Sequence, residues 1–352
     1  MRKKSFDFLK SIIKNPSPSG YEQPVQKLWK EYAQDFAEVK TDIHGNNIGV
    51  INPNGAPKVM FAGHCDELGF LIRYIDDKGY LYFGPIGGFD ETIIPGRRVN
   101  IHTSKGIVNG VIGKTPIHLI KSEDRKKGSE INELWIDIGV KNKKEAVDII
   151  SIGDPVTYQY DFMEMKNDNF VARGFDDRIG SFVVAEILRE LSESKTLSAA
   201  VYSVSTVQEE VGLRGAKTSS YSIDPLVGIA IDVTFATDHP SVDEKTVGDI
   251  RLGGGPVIAR GPNINPHVFD MLIKTAKKMK IKYQIEGLSR MSGTDANAIQ
   301  VSRSGVAAGI VSVPLRYMHT PVETLNLDDV EKTIKLLSGF AEELKPEMNF
   351  IP

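Results

Sequence analysis

Paired acids at the ends of apolar runs are the residues of this sequence best suited to chemistry. Val207-Gln208-Glu209-Glu210-Val211-Gly212 follows Ala200–Thr206, an apolar, β-branched run that reads as a buried strand. Two adjacent carboxylates there are costly unless something cationic meets them. Neighbours on a regular strand point to opposite faces, so both can serve one site only where the strand breaks into a loop. Gly212 and Gly215 supply that break. Four more segments carry similar groups. Gly63-His64-Cys65-Asp66-Glu67 ends an apolar strand at residues 59–62, and period-two geometry puts His64 and Asp66 on one side and Cys65, a packed thiol, on the other. In such a pair the carboxylate can steer a metal-binding imidazole. Asp176-Asp177 precedes an amphipathic helix over 178–191; Asp177 suits its N-cap, and Asp176 has no such structural role. Asp232 terminates a buried strand at 226–231, and His319 follows the last apolar strand, 306–313.

Each of these groups alone has an ordinary reading as a solvated loop, a cap or a turn former. Together they place a His, an Asp, a Glu, an Asp and a His after strands of an α/β sheet, where ligands bind at strand carboxyl ends. Five nitrogen and oxygen donors without thiolate suit zinc, cobalt or manganese in a non-structural site. Three carboxylates exceed the needs of one divalent ion and fit two that share a bridge.

The elements that must position these groups fall into two textures. Helical periodicity at 5–15 and 24–32, two strands within 37–51, and strand-helix alternation from about 170 onward read as α/β. Between 68 and 162 the chain instead shows glycine-punctuated alternation with a hairpin signal at Asp76-Asp77-Lys78-Gly79 and one short helical stretch at 143–150. His44 sits in a turn explained by its Gly and Asn neighbours, and His102 and His118 are isolated strand or surface residues. The strand at 281–285 and the helix opening at 292–297 complete the pattern before a closing helix at 328–344.

Composition bounds the partners. The chain has 352 residues, 41% hydrophobic and 25% charged, with net charge −3, which fits a globular protein of two domains and argues against nucleic acid. The densest basic cluster, 121–127, is interrupted by Glu123 and Asp124 and reads as a solvated loop. No apolar stretch reaches membrane-spanning length, and the single cysteine, Cys65, fits a reducing, cytoplasmic setting.

Taken in order, Gly63-His64-Cys65-Asp66-Glu67, Arg173-Gly174-Phe175-Asp176-Asp177-Arg178, Gln208-Glu209-Glu210-Val211-Gly212, Ile231-Asp232-Val233 and His319-Thr320-Pro321-Val322-Glu323 resemble the motifs of the tetrahedral (TET), deblocking or glutamyl aminopeptidases, peptidase family 42 of the metallopeptidases. The resemblance covers essentially the whole chain. It implies an α/β fold with a zinc-aminopeptidase-like mixed sheet flanked by helices, residues 1–67 and 164–352, and an inserted all-β dimerisation domain, 68–163. It implies two divalent ions per subunit, zinc or cobalt, with Asp176 bridging them. His64 and Asp232 would complete one site, Glu210 and His319 the other. Glu209 would be general base and acid, Asp66 would orient His64, and the Asp176-Asp177 peptide would be cis. The implied substrate is a peptide with a free N-terminus, and the implied assembly a homo-oligomer, from dimer to dodecamer. Gly253-Gly254-Gly255-Pro256 and Arg290-Met291-Ser292-Gly293-Thr294-Asp295 resemble segments lining the side-chain pocket; Arg290 reads either as a contact for acidic first residues or as a surface cation. A non-catalytic metal-stabilised scaffold and a related dinuclear amidohydrolase or deacylase are the alternatives. The long interval lies between His64 and Asp176 rather than between Asp232 and His319, which is unlike the deacylase group. A glycosidase would need a carboxylate pair without metal ligands, and the two histidines argue against it.

Overall fold

The computed structural model describes residues 1–123 and 128–352, so most of the basic cluster at 121–127 lies outside the described residues. The chain divides into two compact units. The first comprises Met1–Glu67, Phe162–Met318 and Val322–Pro352, and the second Leu68–Asp161 with His319–Pro321. The first unit opens with α1 (Lys3–Lys14), α2 (Gln23–Ala33), β1 (Glu38–Thr41), β2 (Asn47–Ile51) and β3 (Lys58–His64). The second holds β4 (Gly69–Ile75), β5 (Leu81–Ile86), β6 (Arg98–Thr103), β7 (Gly106–Gly113), β8 (Trp135–Asp137), α3 (Lys143–Val147) and β9 (Pro155–Tyr158). The first unit then resumes through β10 (Phe162–Glu164), β11 (Asn169–Ala172), α4 (Phe175–Ser192), β12 (Ala200–Thr206), α5 (Arg214–Ile223), β13 (Val227–Phe235) and α6 (Glu244–Val247). It closes with β14 (Val257–Arg260), α7 (Pro266–Lys278), β15 (Gln284–Gly287), α8 (Ala296–Gln300), β16 (Ala307–Leu315), β17 (Glu323–Asn326) and α9 (Leu327–Glu343).

Eight strands form the main sheet in the order β1-β2-β12-β3-β13-β16-β14-β15. Its centre is parallel: β12 with β3, β3 with β13, β13 with β16. Parallel strands are covered on both faces, which is why these segments are continuously apolar rather than alternating. Alternate residues of β3 show the two sides. Val59 and Phe61 join a large core that includes residues of α1, α2, α4, α7 and α9, while Met60 and Ala62 join a smaller one with Ala216, Ile223 and Ile299. A three-stranded sheet, β10-β11-β17, lies within the same unit.

The second unit is a closed barrel, β4-β5-β8-β7-β6-β9, filled by its own cluster of Phe70, Ile72, Val99, Ile101, Ile136 and neighbouring side chains. Asp76 accepts from the amides of Lys78 and Tyr80 and closes the β4–β5 hairpin. No helix among the described residues is long and apolar enough to cross a membrane.

Two elements depart from the sequence-based expectation. Asp232 does not end its strand: β13 continues to Phe235 because β16 pairs with it through Leu315. The strand expected from 281 begins at Gln284, because the Ile281 amide is taken by the Ala276 carbonyl at the end of α7 and Lys280 turns through φ 57°.

Candidate metal centre

Strand register brings the first groups to one level. The last β3–β13 pair is Ala62 with Ala230, and His64 and Asp232 each lie two residues beyond it. Thr206, the end of β12, pairs with His64. Three parallel strands thus deliver His64, Asp232 and the Glu209-Glu210 turn at their carboxyl ends.

The turn after β12 is built for this. Gln208 adopts φ 56°, and the Gly212 and Leu213 amides both donate to the Glu209 carbonyl at 2.9 Å. Three successive amides of the turn are then gripped by two buried carboxylates. Gln208 N–H donates to Glu22 Oε1 at 3.2 Å, Glu209 N–H to Asp66 Oδ1 at 3.0 Å, and Glu210 N–H to Asp66 Oδ2 at 3.2 Å. The Ser19 hydroxyl also donates to Asp66 Oδ2, at 2.7 Å. Asp66 therefore fixes the acid pair as well as facing His64, whose Nδ1 lies 3.1 Å from the Asp66 carbonyl oxygen and 3.4 Å from its carboxylate. With Nδ1–H held there, a neutral imidazole presents Nε2 as a free donor atom.

The second acidic pair arrives on α4. A Cβ on Gly63 would collide with the Gly180 backbone, and one on Gly180 with the Asp177 carboxylate and the Ile231 carbonyl, so the two glycines seat the helix start against β3 and β13. Asp177 takes the Gly180 amide at 2.9 Å and the His64 amide at 3.2 Å, so it caps the helix and ties it to the strand. The Asp176-Asp177 peptide is cis, and the Asp176 amide donates to Glu323 at 3.1 Å. His64 Nε2 lies 3.4 Å from Asp176 Oδ1 and 3.8 Å from Glu209 Oε2. Beneath, Glu67 bridges the Arg173 and Arg178 guanidiniums, and Arg178 also donates to the carbonyls of Ile12, Ile13 and Asn15. Cys65 is fully buried in the core, on the side away from the acids.

Ligand-type atoms of His64, Asp176 and Glu210 lie within 4.8 Å of one another, and so do those of His64, Glu209 and Asp232. His319, on the loop between β16 and β17 with φ 61°, belongs to neither group. The electrostatics are those of acids short of a counter-charge. Burial, reinforced by Asp232, Asp295 and Glu210 and opposed by His64, pushes Glu209 up to about 10. Burial, with Asp176 and Asp295 adding to it against His64, pushes Asp232 up to about 7. For His64 burial works downward, but the surrounding Glu209, Asp176 and Asp66 outweigh it and hold the ring well above its usual range. One imidazole and several carboxylates with raised affinity for protons form a donor set that fits divalent cations. Sequence reasoning missed Glu22, and it reached Asp295 only as the end of a segment resembling the side-chain pocket lining. Asp295 is buried and accepts from the Thr206 hydroxyl at 2.6 Å.

An imidazole among converging acids toward the carboxyl ends of a mixed sheet is an arrangement that suits a hydrolase working with divalent cations. Residues 45–336 match the family described as M42 glutamyl aminopeptidase, and the chain belongs to that family. It is similar to a lysyl aminopeptidase of Pyrococcus furiosus, 41% identical over 99% of both chains. Among solved structures it resembles a TET aminopeptidase of a marine sediment Thaumarchaeota archaeon, with TM-score 0.94, 33% identity and 98% and 97% of the two chains covered. It also resembles the Pyrococcus horikoshii TET1 peptidase, which can assemble into a tetrahedron or a large octahedral shell, with TM-score 0.87, 35% identity and 97% and 100% covered. The chain is an aminopeptidase, a hydrolase acting on peptide bonds.

Proposed function

We propose that this aminopeptidase removes N-terminal residues with two divalent ions, zinc or cobalt, held by His64, Asp176, Glu210, Asp232 and His319. The supporting observation is the convergence of His64 with Asp176 and Glu210 on one side and with Glu209 and Asp232 on the other. When bound, such ions supply Lewis acidity, polarising the peptide carbonyl and lowering the pKa of water.

The residues of the chain do the rest. Asp66 holds Nδ1–H of His64 and keeps Nε2 directed at the acids. Glu209, buried beside His64 with its Oε2 3.8 Å from Nε2, is placed to act as the general base. It takes a proton from the attacking water and returns it to the leaving amine, a contribution of roughly 10²–10⁴-fold. Asp66 and Glu22, through three amide hydrogen bonds, hold Glu209 and Glu210 at fixed positions. The substrate's free α-amine pairs with the carboxylate cluster, which selects chain ends over internal bonds. The barrel unit serves dimerisation, and the enzyme works as a cytoplasmic homo-oligomer, in line with the assemblies of its structural relatives.

Glu209→Gln tests the assignment. It is expected to retain both metals by elemental analysis while turnover of an aminoacyl-p-nitroanilide falls by at least about 10². Full activity with metals retained would remove Glu209 from the role. The family's description says glutamyl and the Pyrococcus furiosus relative is lysyl, so the names leave the preferred first residue open.

A further inference from the structure

An acid outside the metal cluster faces the same side of the sheet. Thr234 stands two residues beyond Asp232 on β13, so their side chains share a face and lie about 7 Å apart along the strand. The Thr234 hydroxyl donates at 2.9 Å to Glu286 Oε1, on β15. Glu286 is half-buried, and among the described residues it has no Lys, Arg or His partner. Burial, offset in part by the Thr234 hydrogen bond, raises its pKa. A carboxylate withdrawn from water with a single hydroxyl for support leaves most of its acceptor capacity for an arriving donor.

The surroundings are rigid. Gln284, two residues before Glu286 and so on the same face of β15, accepts from the Arg251 amide at 2.8 Å and donates to the Arg251 and Gly255 carbonyls at 3.0 and 3.2 Å. Buried Asp329 takes the Gly253 and Gly255 amides, each at 2.7 Å. The glycine loop 253–255 is thereby pinned from both sides. A Cβ at Gly254 would sit 2.3 Å from the Gln284 side chain, so the loop can lie this close only as glycine. Arg290, by contrast, is exposed.

We propose that Glu286 is the specificity-determining residue, its carboxylate receiving the ammonium or guanidinium of a basic N-terminal residue whose peptide bond lies at the Asp232 end of β13. This rests on the aminopeptidase mechanism above and adds the substrate class. A lysine side chain reaching along that face from Asp232 past Thr234 would bring its ammonium to Glu286. A charge-assisted hydrogen bond in a half-buried setting distinguishes lysine from the uncharged norleucine by about 10- to 100-fold.

The test uses the full-length, metal-loaded protein with lysyl-, norleucyl- and glutamyl-p-nitroanilides, and calorimetric binding of free lysine and norleucine. The expected result is a lysyl-to-norleucyl kcat/KM ratio of about 10 to 100, falling toward one in Glu286→Gln and favouring the glutamyl substrate in Glu286→Lys. Lysine should likewise bind more tightly than norleucine, and that margin should vanish in Glu286→Gln. A wild-type ratio at or below one, or a ratio unchanged by Glu286→Gln, overturns the inference. If lysine binds through Glu286 while no anilide is cleaved, the inference stands and the catalytic reading fails.

Discussion

Between Leu68 and Asp161, Thr157 is the one polar or charged side chain that is buried among the described residues, whereas the other unit buries Glu22, Asp66, Glu67, Asp176, Asp177, Asp232 and further acids. The barrel is a hydrophobic core that admits the hydroxyls of Thr157 and Tyr158 but, among the described residues, no charged side chain. The sheet unit has taken on charges that a fold alone would not require. They are compensated in three ways. Glu67 has two guanidiniums, and Glu22, Asp66, Asp177 and Asp329 have backbone amides. Asp176, Glu209 and Asp232 face the imidazole of His64, and the raised proton affinity of Glu209 and Asp232 marks the site.

The comparison is tested hardest where a buried charge loses its partner. Arg178 is fully buried, and Arg178→Met would strand Glu67 beside Arg173 alone while orphaning the carbonyls of Ile12, Ile13 and Asn15. The expected cost is about 3–5 kcal/mol in denaturant unfolding. In the barrel, Lys143→Met removes an exposed pair with Asp77 and should cost no more than about 1 kcal/mol. Equal costs would show that the two units do not differ in this way.

Next in size is the response of the metal-free protein to pH. Asp232 and Glu209 have folded-state pKa values raised above those of the unfolded chain, to about 7 and about 10, and His64 is raised as well. In each case the native state binds more protons, so the stability they lend is complete at low pH and lost as pH rises through the folded-state values. Glu67 has the opposite sign and keeps its contribution above the ordinary carboxylate range. Chelator-treated protein should therefore unfold at its highest temperature near about pH 5 and at falling temperatures toward about pH 9, by a few kcal/mol in all. Added zinc or cobalt should remove most of the slope, since cations replace the protons. Trp29 in the sheet unit and Trp135 in the barrel, the two tryptophans of the chain, allow each unit to be followed in Trp135→Phe and Trp29→Phe variants. The pH slope belongs to the Trp29 signal; its appearance in the Trp135 signal alone would contradict the assignment.

Much of this was legible in the sequence because local chemistry and tertiary placement agree. Ala200–Thr206 is a strand of that very extent, the Glu209-Glu210 pair lies in the loop its glycines require, and Asp177 caps a helix as its position suggests. The α/β class and the β texture of the insertion follow from periodicity. What escaped depends on long-range contacts. Nothing local says that β13 continues past Asp232, because the reason is β16 alongside it. Glu22 looks like an ordinary acid at a helix start until Gln208, far along the chain, donates to it. Glu286 reads as a strand-end acid until the sheet brings it to Thr234.

The smallest effect probes the barrel on its own terms. Ile136 is fully buried, opposite Leu81 on one side and Ile112 on the other. Ile136→Val removes one methylene from a close-packed interior and should cost about 0.5–1.5 kcal/mol. Because the titratable group of that core, Tyr158, is pushed by burial well above its ordinary range and stays neutral at both values, the loss should be the same at about pH 5 and about pH 9 and should not respond to metal. Measured through Trp135, a cost that changed with pH would mean that charge reaches the barrel interior after all, and the division between an apolar scaffold and a charged site would have to be redrawn.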